Sequence, residues 1–464
     1  ELFWRLGIPG PWDAWSDDPW DPPRAVFAAQ AGQAGTAGWV ARLASGRDDL
    51  EAPDKAGFLD RGAERRAAIE AAIDAVLDRR APPEPDALGL TCYATATIDA
   101  LAPDTPLAHA LIAEAETALT REPLSVTAKT TLPPSGDRRD YWHPAPYWWP
   151  NGITPSGRPY RRRDGKRVPG TRMYEPESGQ YDRTRLQYLF DDTTALALAA
   201  RLTGRADFTA RAIANLESWF TDPATAMHPH LRYAQVRPGW NRNEGVGTGI
   251  IEFKDIHYLL DALRLLEAAG TLPAATRAGL ADWLAAYLDW LLTSRAGVHE
   301  RAARNNHGTY YDLQVGAIAA WLGDRDTLRD TLIRAQSRLT VQFTPEGDQP
   351  HEMTRADTAH YCFFNLSGWV ALMRLGRRSG LLHPAPDRAP SDRLAAALAR
   401  TLSPAPGAWP HRQKGAFDPE RGAALALHGH QAGLIGAEAL ARHHSDRPRF
   451  DPHDGIPPWW RLTG

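Results

Sequence analysis

The chain has 464 residues, with 53 Lys and Arg against 56 Asp and Glu, a formal net charge of −3. That length holds one large domain or two and buries a core without disulfide or metal staples, and 43% hydrophobic with 23% charged residues marks a globular chain rather than a disordered one. The near balance of charge excludes a whole-molecule nucleic-acid binder, two cysteines (Cys92 and Cys362) exclude a disulfide framework or a cysteine zinc cage, and no run approaches the roughly eighteen apolar residues of a membrane span.

Residues 1–85 read as an N-terminal extension that covers the main domain or narrows its mouth. They open with an irregular Trp/Pro/Asp-rich stretch from Pro9 to Pro23, which carries Trp12, Trp15 and Trp20 close behind Trp4. Ala63 to Arg80 then has helical spacing and stops at Ala81-Pro82-Pro83. Residues 86–464 form the main domain. Leu107–Leu119 is its first predicted helix. From Pro133 to Gly179 the chain is dense in Pro, Gly, Arg and aromatics with no sustained period, and a stretch of that kind inside a compact protein is functional or disordered. Its aromatic content argues against disorder.

Beyond Gly179 the period becomes helical. Predicted helices span Arg183–Leu202, Phe208–Phe220, Phe253–Ala269, Pro273–Thr293, Tyr310–Leu322, Asp326–Phe343, Thr358–Arg378, Asp392–Leu402 and Ala423–His443. Short turns such as Thr203-Gly204 and Gly323-Asp324 join several of them into antiparallel pairs. Strand and helix do not alternate, and no strict repeat marks a solenoid. The fold class is therefore all-α, an α/α toroid (an incomplete barrel) of antiparallel helix pairs with long loops at its mouth.

Chemistry concentrates in three stretches. Tryptophan (17) outnumbers tyrosine (13) and phenylalanine (12), and indoles serve sugar faces as well as cores. The first stretch, Tyr141 to Pro169, contains Tyr147-Trp148-Trp149-Pro150. Residues 158–172 carry seven cations (Arg158, Arg161, Arg162, Arg163, Lys166, Arg167, Arg172) against one acid, Asp164. A basic, aromatic loop suits a polyanion with flat rings, either nucleic acid or an acidic polysaccharide; a merely solvated run of charge is the plainer alternative. The second stretch is Asn305-Asn306-His307-Gly308, just before a predicted helix whose N-terminus adds positive potential. The third is His351-Glu352-Met353-Thr354-Arg355 followed by His360-Tyr361.

Together with Trp219-Phe220 through Asp222-Pro223 to Tyr233-Ala234-Gln235, these motifs resemble the alginate-lyase-domain superfamily, closest to the branch of polysaccharide lyases that cleaves alginate or glucuronan. The resemblance runs from about Leu107 to about Leu375. It implies an α/α toroid and metal-independent β-elimination with no cofactor. It also implies catalytic roles for Asn306, His307, Arg355 and Tyr361. The substrate path would be lined by Tyr147, Trp148, Trp149, Arg158, Tyr160, Arg162, Arg163, Tyr233, Gln235 and His360. The run after the box, Gly308-Thr309-Tyr310-Tyr311, departs from that of the better-studied alginate lyases, which leaves the uronate open.

Elimination next to a uronate needs the C5 carboxylate neutralised, H5 removed and O4 protonated. Asn306, His307 and Arg355 would neutralise the carboxylate. Tyr361 would exchange the protons, and a phenol of pKa about 10 is then expected to be depressed by Arg355 and a protonated His307. In β-linked mannuronate or glucuronate H5 and O4 share one ring face, so a single residue serves both steps (syn elimination); His307 is the alternative base for the opposite stereochemistry. An inverting glycoside hydrolase is the rival reading. It needs two carboxylates about 6.5–9.5 Å apart, and Asp191, Asp192, Glu244, Glu252, Asp348 and Glu352 are available. A non-catalytic acidic-glycan-binding protein is the other. His228-Pro229-His230 and His428-Gly429-His430 have no third metal ligand in register, so no metal site is expected. The expected partner is an acidic polysaccharide, with no nucleic acid and no membrane span. A periplasmic or secreted location is favoured over a cytoplasmic one.

Overall fold

The computed structural model describes residues 86–381, 389–405 and 407–464. The 1–85 extension, with its predicted Ala63–Arg80 helix and its tryptophan cluster, lies outside the described residues. Two short helices, α1 (Thr95–Asp99) and α2 (Pro106–Leu119), precede the main body. That body is α3 (Arg183–Thr203), α4 (Ala206–Leu216), α5 (Ile256–Ala268), α6 (Ala274–Thr293), α7 (Arg295–Arg301), α8 (Asn306–Leu322), α9 (Arg325–Gln342), α10 (Pro350–Met353), α11 (Thr358–Arg378), α12 (Ala389–Leu402), α13 (Arg421–Gln431) and α14 (Ala437–Arg442). The chain is all-α, an α/α toroid.

Burial explains the ring. Helices α3, α5, α8 and α11 are covered on nearly every side: α8 buries Tyr310, Tyr311, Leu313, Val315, Ala317 and Ile318 in succession, as an inner-layer helix must. α3 packs on α5, α5 on α8, α8 on α11 and α11 on α13. The outer layer is α2 and α4 against α3, α6 and α9 against α8, and α12 against α11. Left-handed glycines turn the chain from one layer to the other: Gly204 (φ 70°) closes α3 and Gly323 (φ 77°) closes α8. The C-terminal segment links α13 to α3. His453 Nε2 sits 2.9 Å from Asp191 of α3, and Arg421 of α13 donates to the His453 carbonyl at 3.0 Å. Trp219, Trp369 and Trp459 are core residues, and both cysteines are buried free thiols.

Several elements differ from the sequence expectation. Helix α8 begins at Asn306 rather than Tyr310, because the Asn305 side chain caps the His307 N–H at 3.3 Å. Helix α7 is additional, started by Ser294, which caps Gly297 at 3.0 Å. The helix expected from Phe208 to Phe220 leaves α geometry at Glu217 and ends in a π turn, Glu217–Thr221. The span Ala423–His443 is two helices, interrupted where Gly433 adopts φ 65°. Within Pro133–Gly179 lies a small hairpin, β1 (Trp148–Trp149) with β2 (Arg161–Arg162), antiparallel, pairing Trp148 with Arg162 and Trp149 with Arg161.

Candidate active site

The starts of several inner helices gather at one rim: Asp454 interacts with His360 of α11, Lys254 ahead of α5 and Arg421 of α13, and Arg183 of α3 faces the same carboxylate. Arg183, His307 and Arg421 stand at the starts of α3, α8 and α13, Lys254 just ahead of α5, and Tyr361 in the first turn of α11. Five helix N-termini and the charges of Arg183, Lys254 and Arg421 favour an anion there. Asp454 is the counter-charge: against the opposing effect of burial, His360, Arg421, Lys254 and Arg167 hold its carboxyl well below the usual range.

Arg355 donates from Nη2 to the Tyr361 hydroxyl at 2.7 Å, and its guanidinium carbon lies 3.7 Å from the centre of that ring. The Tyr147 hydroxyl is 3.2 Å from the Tyr361 hydroxyl. Asp164 is 3.5 Å from Arg355, and Arg167 covers the Tyr147 ring at 5.5 Å. The aromatic loop therefore reaches the α11 junction through Tyr147. One expectation is corrected here. Tyr361 is not depressed: burial and the adjoining Tyr147 raise it above the usual phenol range, and Arg355 and Arg167 only partly offset that.

Asn306 and His307 approach from α8. The Glu352 carboxylate accepts from the Asn306 backbone N–H at 2.6 Å and from its side-chain amide at 2.8 Å. Burial raises the Glu352 carboxyl, although Asn306, Arg355 and His307 pull the other way, so Glu352 joins the two halves of the site. His307 Nδ1 is 2.6 Å from the buried Glu300, which turns Nε2 away from that carboxylate. Helix α9 fixes the approach: Arg338 donates to the Ala303 carbonyl at 2.6 Å and Gln342 to the Asn305 carbonyl at 2.9 Å.

The glycine of the box follows from this packing. A Cβ on Gly308 would lie 2.2 Å from the Ala303 carbonyl oxygen and 2.6 Å from Arg338 Nη1. Gly308→Ala is expected to destabilise the fold by about 1–3 kcal/mol, read as a lower urea midpoint with an unchanged slope. Thr309, Tyr310 and Tyr311, where the chain departs from the resembled pattern, are fully buried; Tyr310 donates to the Phe364 carbonyl and Tyr311 to the Leu291 carbonyl. They are core positions.

The remaining candidates fall into two groups. Trp148 lies between Arg237, at 4.6 Å, and Trp240, at 6.1 Å, and the Trp240 indole donates to the Tyr160 carbonyl at 2.8 Å. Trp149 is flanked by Arg163 at 5.5 Å and Lys166 at 5.2 Å. Arg158 and Arg162 are exposed, and Arg162 pairs with Asp164 at 2.9 Å. This group is an aromatic and cationic cluster on the loop that carries Tyr147. Tyr233 is buried and Gln235 contacts Thr248 at 3.5 Å, on a separate loop. His360 stacks on Phe364 at 5.8 Å and meets Tyr361 edge-on at 5.0 Å, walling a pocket with Arg421 and Asp454.

The six carboxylates that a hydrolase would draw on are engaged by protein partners. Asp191 accepts from Tyr174, Tyr258 and Gln187 at 3.0, 2.8 and 2.9 Å. Asp192 pairs with Arg121, Glu244 with Arg232 and Asp348 with Arg400. Glu252 bonds Tyr141 at 2.5 Å and His143 at 2.6 Å, and Glu352 holds Asn306.

A helical toroid whose rim gathers a phenol, a guanidinium, an amide and an imidazole fits the α/α type of polysaccharide lyase, and the family match identifies the chain as a polysaccharide lyase. The alginate lyase family model matches residues 125–409, and the chain belongs to that family. Its structure is similar to that of an alginate lyase from Bacteroides ovatus, with 29% identity and a TM-score of 0.71, covering 80% of this chain and 98% of that one. A weaker likeness is to alginate lyase A1-III from Sphingomonas species A1, with 16% identity, a TM-score of 0.45, and 74% and 92% coverage. No curated protein matches the chain.

Sequence reasoning missed Glu300, Arg183 and Asp454 as site residues. Glu300 lies on a helix that was not expected, and Asp454 and Arg183 come from opposite ends of the domain.

Proposed function

We propose that this chain cleaves a β-1,4-linked uronate polymer, poly-mannuronate or glucuronan, by syn β-elimination without a metal in the chemical step. The observation that carries the reading is the Arg355–Tyr361–Tyr147 contact at the anion-favouring rim. Arg355, Asn306 and His307 receive the C5 carboxylate and the enolate charge that develops on it. Tyr361 takes H5 from C5, electrons move into a C4–C5 double bond, the C4–O4 bond breaks, and the phenol returns a proton to O4. Arg355 and Tyr147 donate to the phenolate while it exists. Trp148, Trp149, Tyr160, Arg162 and Arg163 bind neighbouring sugars through ring faces and carboxylates, with Arg158 at the outer end. Tyr233, Gln235 and His360 shape the walls.

A panel of poly-mannuronate, poly-guluronate, glucuronan and a neutral glucan tests the reading. New ultraviolet absorbance from poly-mannuronate or glucuronan, and none from the glucan, is expected. Reducing ends released without absorbance would instead mean hydrolysis, and unchanged chain length would mean binding alone.

The raised Tyr361 sets the pH dependence. A base that is mostly protonated at neutrality gains active fraction tenfold per pH unit below its pKa, so log kcat/KM is expected to climb with a slope of about 1 and no plateau below about pH 9. A plateau from about pH 7 would assign the base to an imidazole such as His307.

A further inference from the structure

Spacing alone leaves His228 and His230 without a third ligand; the fold supplies one from 88 residues upstream. Asp140 Oδ1 lies 2.8 Å from His228 Nδ1 and 3.3 Å from His230 Nε2, and the three ligand atoms all fall within 4.8 Å of one another. We infer that Asp140, His228 and His230 bind one divalent transition-metal ion of the zinc class, a site separate from the groups that perform elimination.

Three features support this. The first is ligand spacing. Bonds of about 2.0–2.2 Å in a tetrahedron put neighbouring donor atoms roughly 3.3 Å apart, which is the scale of the two separations here. The second is donor type. Two imidazole nitrogens and one carboxylate suit zinc and its neighbours, whereas calcium and magnesium take oxygen shells. The third is convergence. The His230 N–H donates to the His228 carbonyl at 2.7 Å across Pro229, and this tight turn brings the two rings to one side. A fourth position faces Asp137, whose Oδ2 is 3.9 Å from His228 Nδ1 and half exposed, so water or that carboxylate completes the shell.

The location suggests what the ion does. Asp140 stands three residues before His143, and His230 three before Tyr233. Those two loops pair through His143 N–H to the Tyr233 carbonyl at 3.2 Å and Val236 N–H to the His143 carbonyl at 3.0 Å. An ion across Asp140, His228 and His230 clamps that pairing and fixes the loop that presents Tyr233 and Gln235.

The test uses the full chain free of any histidine tag, with zinc(II) as probe, in competition against a chromophoric chelator and by elemental analysis after dialysis. About one zinc per chain is expected, together with a higher melting midpoint in zinc than in EDTA. His228→Asn and His230→Gln keep an amide near each bonding nitrogen, so the hydrogen bonds to Asp140 survive while the imidazole ligands are lost. The double variant is expected to bind zinc at least about tenfold more weakly and to lose the zinc-dependent rise in midpoint. Equal zinc binding by the double variant would overturn the site. So would a wild-type midpoint insensitive to zinc and EDTA, which would leave a hydrogen-bonded clamp in its place. Either outcome leaves the elimination reading untouched, since none of these residues contacts Tyr361, Arg355 or Asn306 among the described contacts.

Discussion

Tyr361→Phe is expected to lower kcat by about 10³-fold or more while the affinity for an oligouronate stays within roughly threefold of wild type. The substitution removes one oxygen from a site where Arg355 Nη2 and the Tyr147 hydroxyl both point at it. The ring itself keeps its place under the Arg355 guanidinium and beside His360, so carboxylate recognition by Arg355 survives. Rate and binding therefore separate. Initial rates of the ultraviolet absorbance of the conjugated, unsaturated uronate give the first quantity, and calorimetry with the inactive variant gives the second. Turnover close to wild type would remove Tyr361 from the chemistry. Tyr147→Phe serves as the comparison: it deletes the second donor and leaves the first, so a smaller loss is expected.

The ring of helices was legible in the sequence because its inner members are long and rich in apolar residues, and left-handed Gly204 and Gly323 close two of them. Local signals carried that much. The start of α8 was not legible, since Asn305 and Asn306 read as loop residues until the Asn305 side chain is seen capping His307. Asn306 and His307 thus belong to the helix, and Asn305 caps it. The aromatic loop meets Tyr361 through the Tyr147 hydroxyl, across 214 residues of sequence. No local pattern encodes that. The ionisation of Tyr361 departs from the sequence expectation for a related reason: nearby cations can be counted in a sequence, whereas the burial that outweighs them is a property of the assembled rim. Asp140 completing the His228–His230 pair has the same origin.

His307 offers the second large effect. Its Nδ1 is tied to Glu300, a carboxylate that is 1% exposed, so the ring is held with Nε2 as its outward edge. If Nε2 donates to the substrate carboxylate, His307→Ala removes one preorganised donor and is expected to cost about 10²–10³ in kcat. His307→Gln restores an amide donor near the Nε2 position and is expected to recover at least about tenfold of that loss, because a donor needs only an N–H. A general base cannot be replaced in this way: an amide accepts no proton near neutrality, so a Gln variant as inactive as the Ala variant would reassign His307 to proton abstraction. Glu300→Gln separates the two roles further. It keeps a side chain of the same shape against Nδ1 but withdraws the negative charge, so a donor weakened in this way loses rate evenly across pH, whereas a base with an altered imidazole shifts the acidic limb of kcat/KM. Measuring the three variants over the same pH range decides between a donor that holds the carboxylate and a base that removes H5, and with it which uronate stereochemistry the proposed elimination accepts.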